Sequence, residues 1–490
     1  MSSVDPRTPV LVGVAQLKQK PENPLDALEP VALMTEVVVA AAADAGAPGL
    51  TKRLDSIRVV KGAWPYQDPA RMIAQRIGAE PRQTATTFDG GNTPQSLVNL
   101  SCLDIVDGRF DAVAIVGAEA IWSRRRAHRA KQVIPYTPDD GPAAEALLHD
   151  LDMSSPVEEA RGFQMPVNIY PLFESAFRAS RGESIADHIA RISKLWAAFN
   201  EVAVANPHAW SRKPMTTRQI AAPTDDNRLV GFPYTKAMNS NWDLDQAAAL
   251  ILCSAETASA MGVPRDRWVF PWAGTDAHDT GHISIRGSFH QSPAIRIAGR
   301  KLWDLAGVGP DELAHCDLYS CFPSAVQISA TELGLGLDRQ LTQTGGLTFA
   351  GGPLNNYVTH AIAAMADTLR SHPGDIGLCT ANGGYLTKHA LGIYSTTPPS
   401  TMFRHADVQA AVDREPTRTF DAEFTGAATI ESYTVMHGHA GPEKALLTAL
   451  TPTGSRALAS STDTDMMHAL MEREHVGATV HIDDAALASI

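Results

Sequence analysis

Residues 88–102 read FDGGNTPQSLVNLSC, and the fold turns on this stretch. It reads as the end of a strand, a tight turn at Gly90-Gly91, and a helix opening near Thr93-Pro94, where proline is tolerated because its missing N–H has no intrahelical partner anyway. Many enzymes mount a nucleophile at such a turn. Here two glycines stand there instead. The first N–H groups of the helix point outward without partners, and the helix dipole adds partial positive charge. The turn therefore offers backbone donors and no side chain.

Working outward, strands and helices alternate. PVLVGVAQ (9–16) is a strand, 26–46 a helix ending at glycine, SIRVVKGA (56–63) a strand, and 69–78 a helix. After helix 93–106 comes FDAVAIVGAEA (110–120), nearly all apolar and so a strand buried on both faces. Residues 121–243, rich in Pro, Arg, His and Trp, break this rhythm. They include amphipathic helices such as 183–203 and read as an insertion over the sheet. The rhythm returns at DQAAALILCSAE (245–256). Beyond residue 265 come helix 292–307, the segment ELAHCDLYSCF (312–322), helix 323–334 and a second double glycine in GGPLNNYVTHAIAAM (351–365), which leads to strand DIGLCTANGG (375–384). Both double glycines run into a helix followed by a buried strand, which predicts an internal duplication. TTPPST (396–401) reads as a linker. TRTFDAEF, ATIESYTVMHG, KALLTALT and GATVHI then read as strands of a small antiparallel β domain. The expected units are 1–264 with its insertion at 121–243, 265–400, and 405–490.

Bulk properties exclude several classes. With 490 residues and 44% hydrophobic composition, two or three domains with large cores are expected. A net charge of −13 argues against nucleic-acid binding, which needs a basic face. The five cysteines form neither a disulfide framework nor a metal-ligand spacing, so no metal is expected and a reducing cytoplasm is the natural compartment. The N-terminal residues lack the basic region of a signal peptide, and no apolar run reaches the roughly 20 residues of a membrane span.

Over roughly residues 5–398 the chain resembles the thiolase superfamily, in particular the sterol-carrier-protein-2-type branch. NPHAWSRKPMT (206–216), DQAAALILCSAETASAMG (245–262), DELAHCDLYSCF (311–322) and GGPLNNYVTHAIAAM carry the resemblance. It implies an α/β fold of two similar halves in five αβαβα layers, to which the C-terminal unit adds a small barrel-like, OB-like β domain. It also implies coenzyme A or an acyl-CoA thioester as ligand, with no further cofactor, and a place in lipid or sterol metabolism.

The residues depart from that family where its chemistry lies. The acyl-accepting cysteine, which works as a thiolate, falls at Gly91. The histidine of the Gly-His-Pro loop falls at Gly352, between Gly351 and Pro353. The second cysteine falls at Asn382, and the residue orienting the oxyanion water falls at Tyr319. Cys102 and Cys379 read as core, and His360 as a packing or surface residue. Losing nucleophile, base and acid together predicts no ordinary thiolysis or Claisen condensation. The backbone amides of Gly91 and Gly384 remain as oxyanion donors. Tyr319, Asn382 and Tyr385, with Ser320 and Cys321 nearby, are the candidate catalytic groups. Arg212, Lys213, Arg218 and Lys236 are the candidate CoA-binding cations, and SRRRAHRAK (123–131) is a second basic run. The alternative to a binding protein is a non-covalent acyltransferase or retro-aldolase using Tyr319 and Tyr385. Thiolase-fold retro-aldolases resemble this pattern and work with a small OB-like partner, whose place the fused β domain would take. A third reading gives that domain a protein partner.

Overall fold

A computed structural model describes residues 4–490. The first half runs β1 (Pro9–Lys18), α1 (Pro30–Asp44), β2 (Ser56–Val59), α2 (Pro69–Ile77), β3 (Gln83–Thr87), α3 (Thr93–Val106), β4 (Ala112–Ala120) and α4 (Ile121–Arg129). The insertion follows with β5 (Glu145–Leu147), α5 (Pro156–Ala160), α6 (Pro166–Ser180), α7 (Ile185–Ala205), α8 (Thr217–Ala221), β6 (Leu229–Gly231) and β7 (Tyr234–Thr235). β8 (Asp245–Ser254) and α9 (Ala255–Ala260) then close the half. The second half runs β9 (Phe270–His278), α10 (Pro293–Ala306), β10 (His315–Asp317), α11 (Pro323–Leu333), α12 (Gly346–Phe349), α13 (Tyr357–Ser371), β11 (Ile376–Gly383), β12 (Lys388–Ser395), β13 (Arg404–Asp407) and α14 (Gln409–Val412). The chain ends with β14 (Gly426–His437), β15 (Pro442–Leu450), β16 (Arg456–Ser461), α15 (Thr464–Glu472), β17 (Thr479–Ile482) and β18 (Ala488–Ser489).

The expected duplication is visible in the sheets. The first is ordered β1-β8-β4-β2-β3-β5 and the second β10-β11-β12-β9-β13. In both, a run of four strands is joined antiparallel, antiparallel, parallel: β1-β8-β4-β2 and β9-β12-β11-β10. The helices after the double glycines, α3 and α13, lie between the two sheets and touch both. α1 covers the outer face of the first sheet and α10 that of the second. This gives the five αβαβα layers. β4, β8 and β12 are buried along their whole length, which explains the apolar runs at their centres. Local signals set the helix ends: Asp68 caps α2 by accepting from Arg71 N, and Gly78 ends it with φ of 61°.

Both outer sheet edges are covered by the chain itself. β5 pairs with the free edge of β3, the strand leading into the Gly90-Gly91 turn. β13, just past the expected linker, adds to β9.

The C-terminal segment forms an antiparallel sheet ordered β16-β15-β14-β17-β18. A single parallel bridge, Ser460–Leu487, joins its two ends, and a closed barrel is not established. Two local expectations need correction. Residues 417–424 are not a regular strand: Phe420 forms one isolated bridge, and the backbone bonds alternately to Ile285 and Arg456. The unit also contains a helix, α15, which Asp463 caps and whose Met466, Met467 and Leu470 are buried.

This sheet is fastened to the insertion. β6 pairs with β14 at Gly231–Met436. Arg178 of α6 donates to Glu474 at 2.8 Å and to the Tyr433 hydroxyl at 2.9 Å, and Ser175 bonds Ser432 at 2.7 Å. Arg456 donates to the carbonyls of Ile283 and Ser284 in the second half. Among the described residues no helix is long and apolar enough to cross a membrane.

Candidate functional site

The two double-glycine turns meet at one cavity of about 1000 Å³. The Asn355 side chain, from the second turn, accepts from Gly90 N at 3.0 Å and donates to Lys61 O and the Asp89 carboxylate at 2.9 Å. Asn356 donates to Gly117 O of β4. Thr93 closes the first turn, its N–H and hydroxyl both donating to Gly90 O. Gly91, Gly352, Asn382, Gly384, Tyr319 and Tyr385 all line the cavity. Residues far apart in sequence thus converge on one cavity.

A Cβ added at Gly91 would lie 2.5 Å from Asn382 O and 2.8 Å from Tyr319 Cζ, with the phenol oxygen closer still. The space beside Gly91 is therefore filled. At Gly352 an added Cβ would meet Leu347 Cδ2 at 3.1 Å and Asn241 O at 3.5 Å, so that position is emptier. The amides of Gly91 and Gly384 have no intramolecular acceptor among the described residues. Gly384 has φ of 69°, a left-handed conformation, and an added Cβ there would run into the Met153 side chain.

Burial tunes the titratable groups against ionisation. Tyr319 is 7% exposed, and desolvation raises its pKa above the ordinary tyrosine value. Burial pushes Cys321 up to about 12 and Tyr385 up to about 12. Cys321 is thus a neutral thiol at neutral pH, a poor nucleophile. The Tyr385 hydroxyl donates to Gln164 O, which occupies its proton. Ser320 accepts from Leu347 N at 3.3 Å. Cys102 and Cys379 are buried, and His360 is packed inside with Nδ1 3.0 Å from Gln16 Oε1.

Arg212, Lys213, Arg218 and Lys236 are exposed and are not among the residues lining the cavity. In the second basic run, Arg126 donates to the carbonyls of Pro21 and Glu22 and Arg124 to that of Ala63. Arg125 stands apart: it pairs with Asp243 at 3.2 Å and lies over the ring of Trp242, 5.6 Å from its centre. Trp242 is 50% exposed and lines the cavity.

Sequence reading missed several groups. Lys388 lines the cavity, donates to Asp89 O and lies 3.7 Å from Asp150; burial lowers its pKa. A lysine opening the largely apolar strand KHALGIYS was the available signal. Tyr170 sits inside α6, stacked 4.5 Å from Phe322. Leu151, Asp152 and Met153 belong to a strap after β5 whose irregular backbone left no periodic signal.

Fold and sheet order together define a protein of the thiolase fold. Residues 407–485 match the family model described as the thiolase-like protein type 1 additional C-terminal domain. A monomeric SCP2-thiolase-like protein type 1 from Mycobacterium smegmatis is 30% identical, with a TM-score of 0.85 and 100% of both chains covered. The chain belongs to this SCP2-thiolase-like protein type 1 family. An acetyl-CoA acetyltransferase from Methanocaldococcus jannaschii is 32% identical over 90 residues, 18% of this chain and only 23% of that relative's length. Two further structures share the fold over 80% of this chain. They are the Ltp2-ChsH2(DUF35) aldolase (TM-score 0.58, 17% identity, 98% of that chain) and an acetyl-CoA acetyltransferase from Syntrophomonas wolfei (TM-score 0.56, 14% identity, 100% of that chain).

Proposed function

We propose that this protein binds an acyl-CoA thioester without catalysing thiolysis or Claisen condensation. The observation that carries the reading is the Tyr319 phenol filling the space beside Gly91. An acylated side chain has no room there, while the Gly91 and Gly384 amides remain without internal acceptors and suit a thioester oxygen. In the proposed pose the acyl group lies towards Tyr319 and Asn382. The nucleotide end leaves past Trp242, away from Asp89, Asp150 and Asp152, which would repel phosphates. Arg125 and the exposed cations Arg212, Lys213, Arg218 and Lys236 are the proposed phosphate partners. On this reading the protein needs no further cofactor and serves lipid or sterol metabolism in the cytoplasm. The β5 strand covering β3 supports a monomer, as the Mycobacterium smegmatis relative is described to be.

A second reading, a non-covalent acyltransferase or retro-aldolase, is favoured by Tyr319 alone, because its hydroxyl faces the cavity beside the turn. The aldolase among the structural neighbours accords with it. Titration calorimetry with acetyl-CoA tests the main reading. Saturable binding of one equivalent is expected, and no heat at millimolar ligand would reject it.

A further inference from the structure

Four cations gather where the end of β1, helix α4 and the loop 206–212 meet. Lys18 Nζ donates to Pro207 O at 2.8 Å and to Ala209 O at 2.6 Å, and Lys20 Nζ donates to Trp210 O at 2.6 Å. Arg126 donates to Pro21 O and Glu22 O, both at 2.7 Å, and Arg212 Nε donates to Val204 O at 2.9 Å. Two tryptophans tie the group together. Lys20 lies over Trp210 at 4.0 Å, Arg126 lies over Trp122 at 4.3 Å, and the two rings meet edge to face at 5.6 Å. Among the described residues none of the four makes an ion pair, whereas the neighbouring Arg125 pairs with Asp243. Glu22 meets Arg126 with its backbone carbonyl, not its carboxylate. The chain holds 54 acidic residues against 41 basic ones, so this group reverses the charge of the molecule locally. The carbonyls position the four charges without cancelling them, and each side chain keeps N–H donors beyond those already used. All four remain accessible: Lys20 and Arg212 are exposed, Lys18 and Arg126 half-buried. Burial, with the charges of Lys20 and Arg212, lowers the pKa of Lys18, as crowding without a counter-ion requires.

The group lies beside the cavity mouth. Lys18 faces Gln246 across the β1–β8 pairing, and the mouth residue Trp242 comes four residues before Gln246. Four residues of chain span at most about 14 Å. Arg125, next to Arg126 on α4, lies over Trp242 and bridges the interval.

We infer that Lys18, Lys20, Arg126 and Arg212 form a phosphate-monoester site that holds the 3′-phosphate of the ligand's nucleotide. A phosphate monoester carries about −1.5 to −2 at neutral pH and offers three strong acceptor oxygens. Each phosphate of the diphosphate carries only a single charge. The most charged group of the ligand thus suits the densest group of free cations, and Arg125, nearer the mouth, is left to the diphosphate. The inference rests on the acyl-CoA reading above and specifies which feature of the ligand the protein selects.

The test is calorimetric titration of the full chain with acetyl-CoA and with 3′-dephospho-acetyl-CoA. The dephospho compound is expected to bind about tenfold more weakly. The double variant Lys20→Gln with Arg212→Gln changes two exposed side chains. It should weaken acetyl-CoA binding to the level of the dephospho compound and leave the dephospho compound's own affinity unchanged. If the variant does not fold, the wild-type comparison decides alone. Equal affinity for the two thioesters in the wild type would overturn the inference and leave the acyl-CoA reading standing. A preference that survives in the double variant would also overturn it, and would place the phosphate at other cations. Binding of neither thioester would reject both.

Discussion

The two double-glycine turns are counterparts in the duplication, yet they lack side chains in different ways. Behind Gly91 the space is occupied by Tyr319 and by the backbone carbonyl of Asn382. Behind Gly352 the nearest neighbour is a leucine side chain, which can rotate away. The first position is sealed, and the second is only vacated. On the proposed reading, the absence of a side chain at Gly91 is built into the packing of both halves and cannot be reversed by one substitution. A side chain at Gly352 could be added at modest structural cost.

The largest effect should come from breaking the seal. Gly91→Cys is expected to destabilise the protein on the order of 4 kcal/mol, at the upper end of overpacking effects, because a backbone carbonyl cannot move aside as a side chain can. Chemical denaturation measures this, and a near-neutral Gly91→Cys would show that the space is not filled.

The two halves should also answer pH in opposite senses. Burial raises Glu119, at the end of β4, to about 7 from an ordinary 4.5. The folded chain then holds a proton that the unfolded chain releases. Glu119 contributes its full stability below pH 4.5 and loses it as pH rises through 7. Burial, aided by His208, lowers His360, in the first turn of α13, to about 3 from 6.5. Its contribution is complete above pH 6.5 and is lost as pH falls towards 3. Each is worth a few kcal/mol. Thermal melts across pH should show Glu119→Gln flattening the alkaline arm and His360→Gln the acidic arm. An unchanged profile in either variant would contradict the burial argument for that half.

Gly352→His should cost about 1 kcal/mol, since only Leu347 must shift, and should restore no thiolase turnover while Gly91 stays. The smallest effect is expected from Tyr385→Phe. Losing one bond to Gln164 O should change stability by about 1 kcal/mol and leave ligand affinity within about twofold. A large loss of affinity would give Tyr385 a direct role at the ligand.

Much of this was legible in the residues. The alternating apolar strands and the paired glycines specified the duplicated α/β architecture, because all-buried strands and helix starts have strong local signatures. Gly91, Gly352, Tyr319 and Asn382 were singled out by the resemblance, and they line one cavity. Other features depended on tertiary contacts without a local signature. Which atom fills the space beside Gly91 is decided by Tyr319, over two hundred residues away. The Asn382 side chain is held by Tyr170 in the insertion. Residues 417–424 have strand composition, but their backbone bonds to a loop and to β16 instead. The placement of Arg125, one arginine among several in α4, over Trp242 is visible only in the structure.

The central claim is a thioester site with its covalent machinery closed off. It is tested most directly by incubating the protein with saturating acetoacetyl-CoA and free CoA and following the 3-ketoacyl thioester. The account predicts that the thioester binds and persists at the rate seen in buffer. Turnover at enzyme-like rates would contradict it and would require a nucleophile other than any group at Gly91.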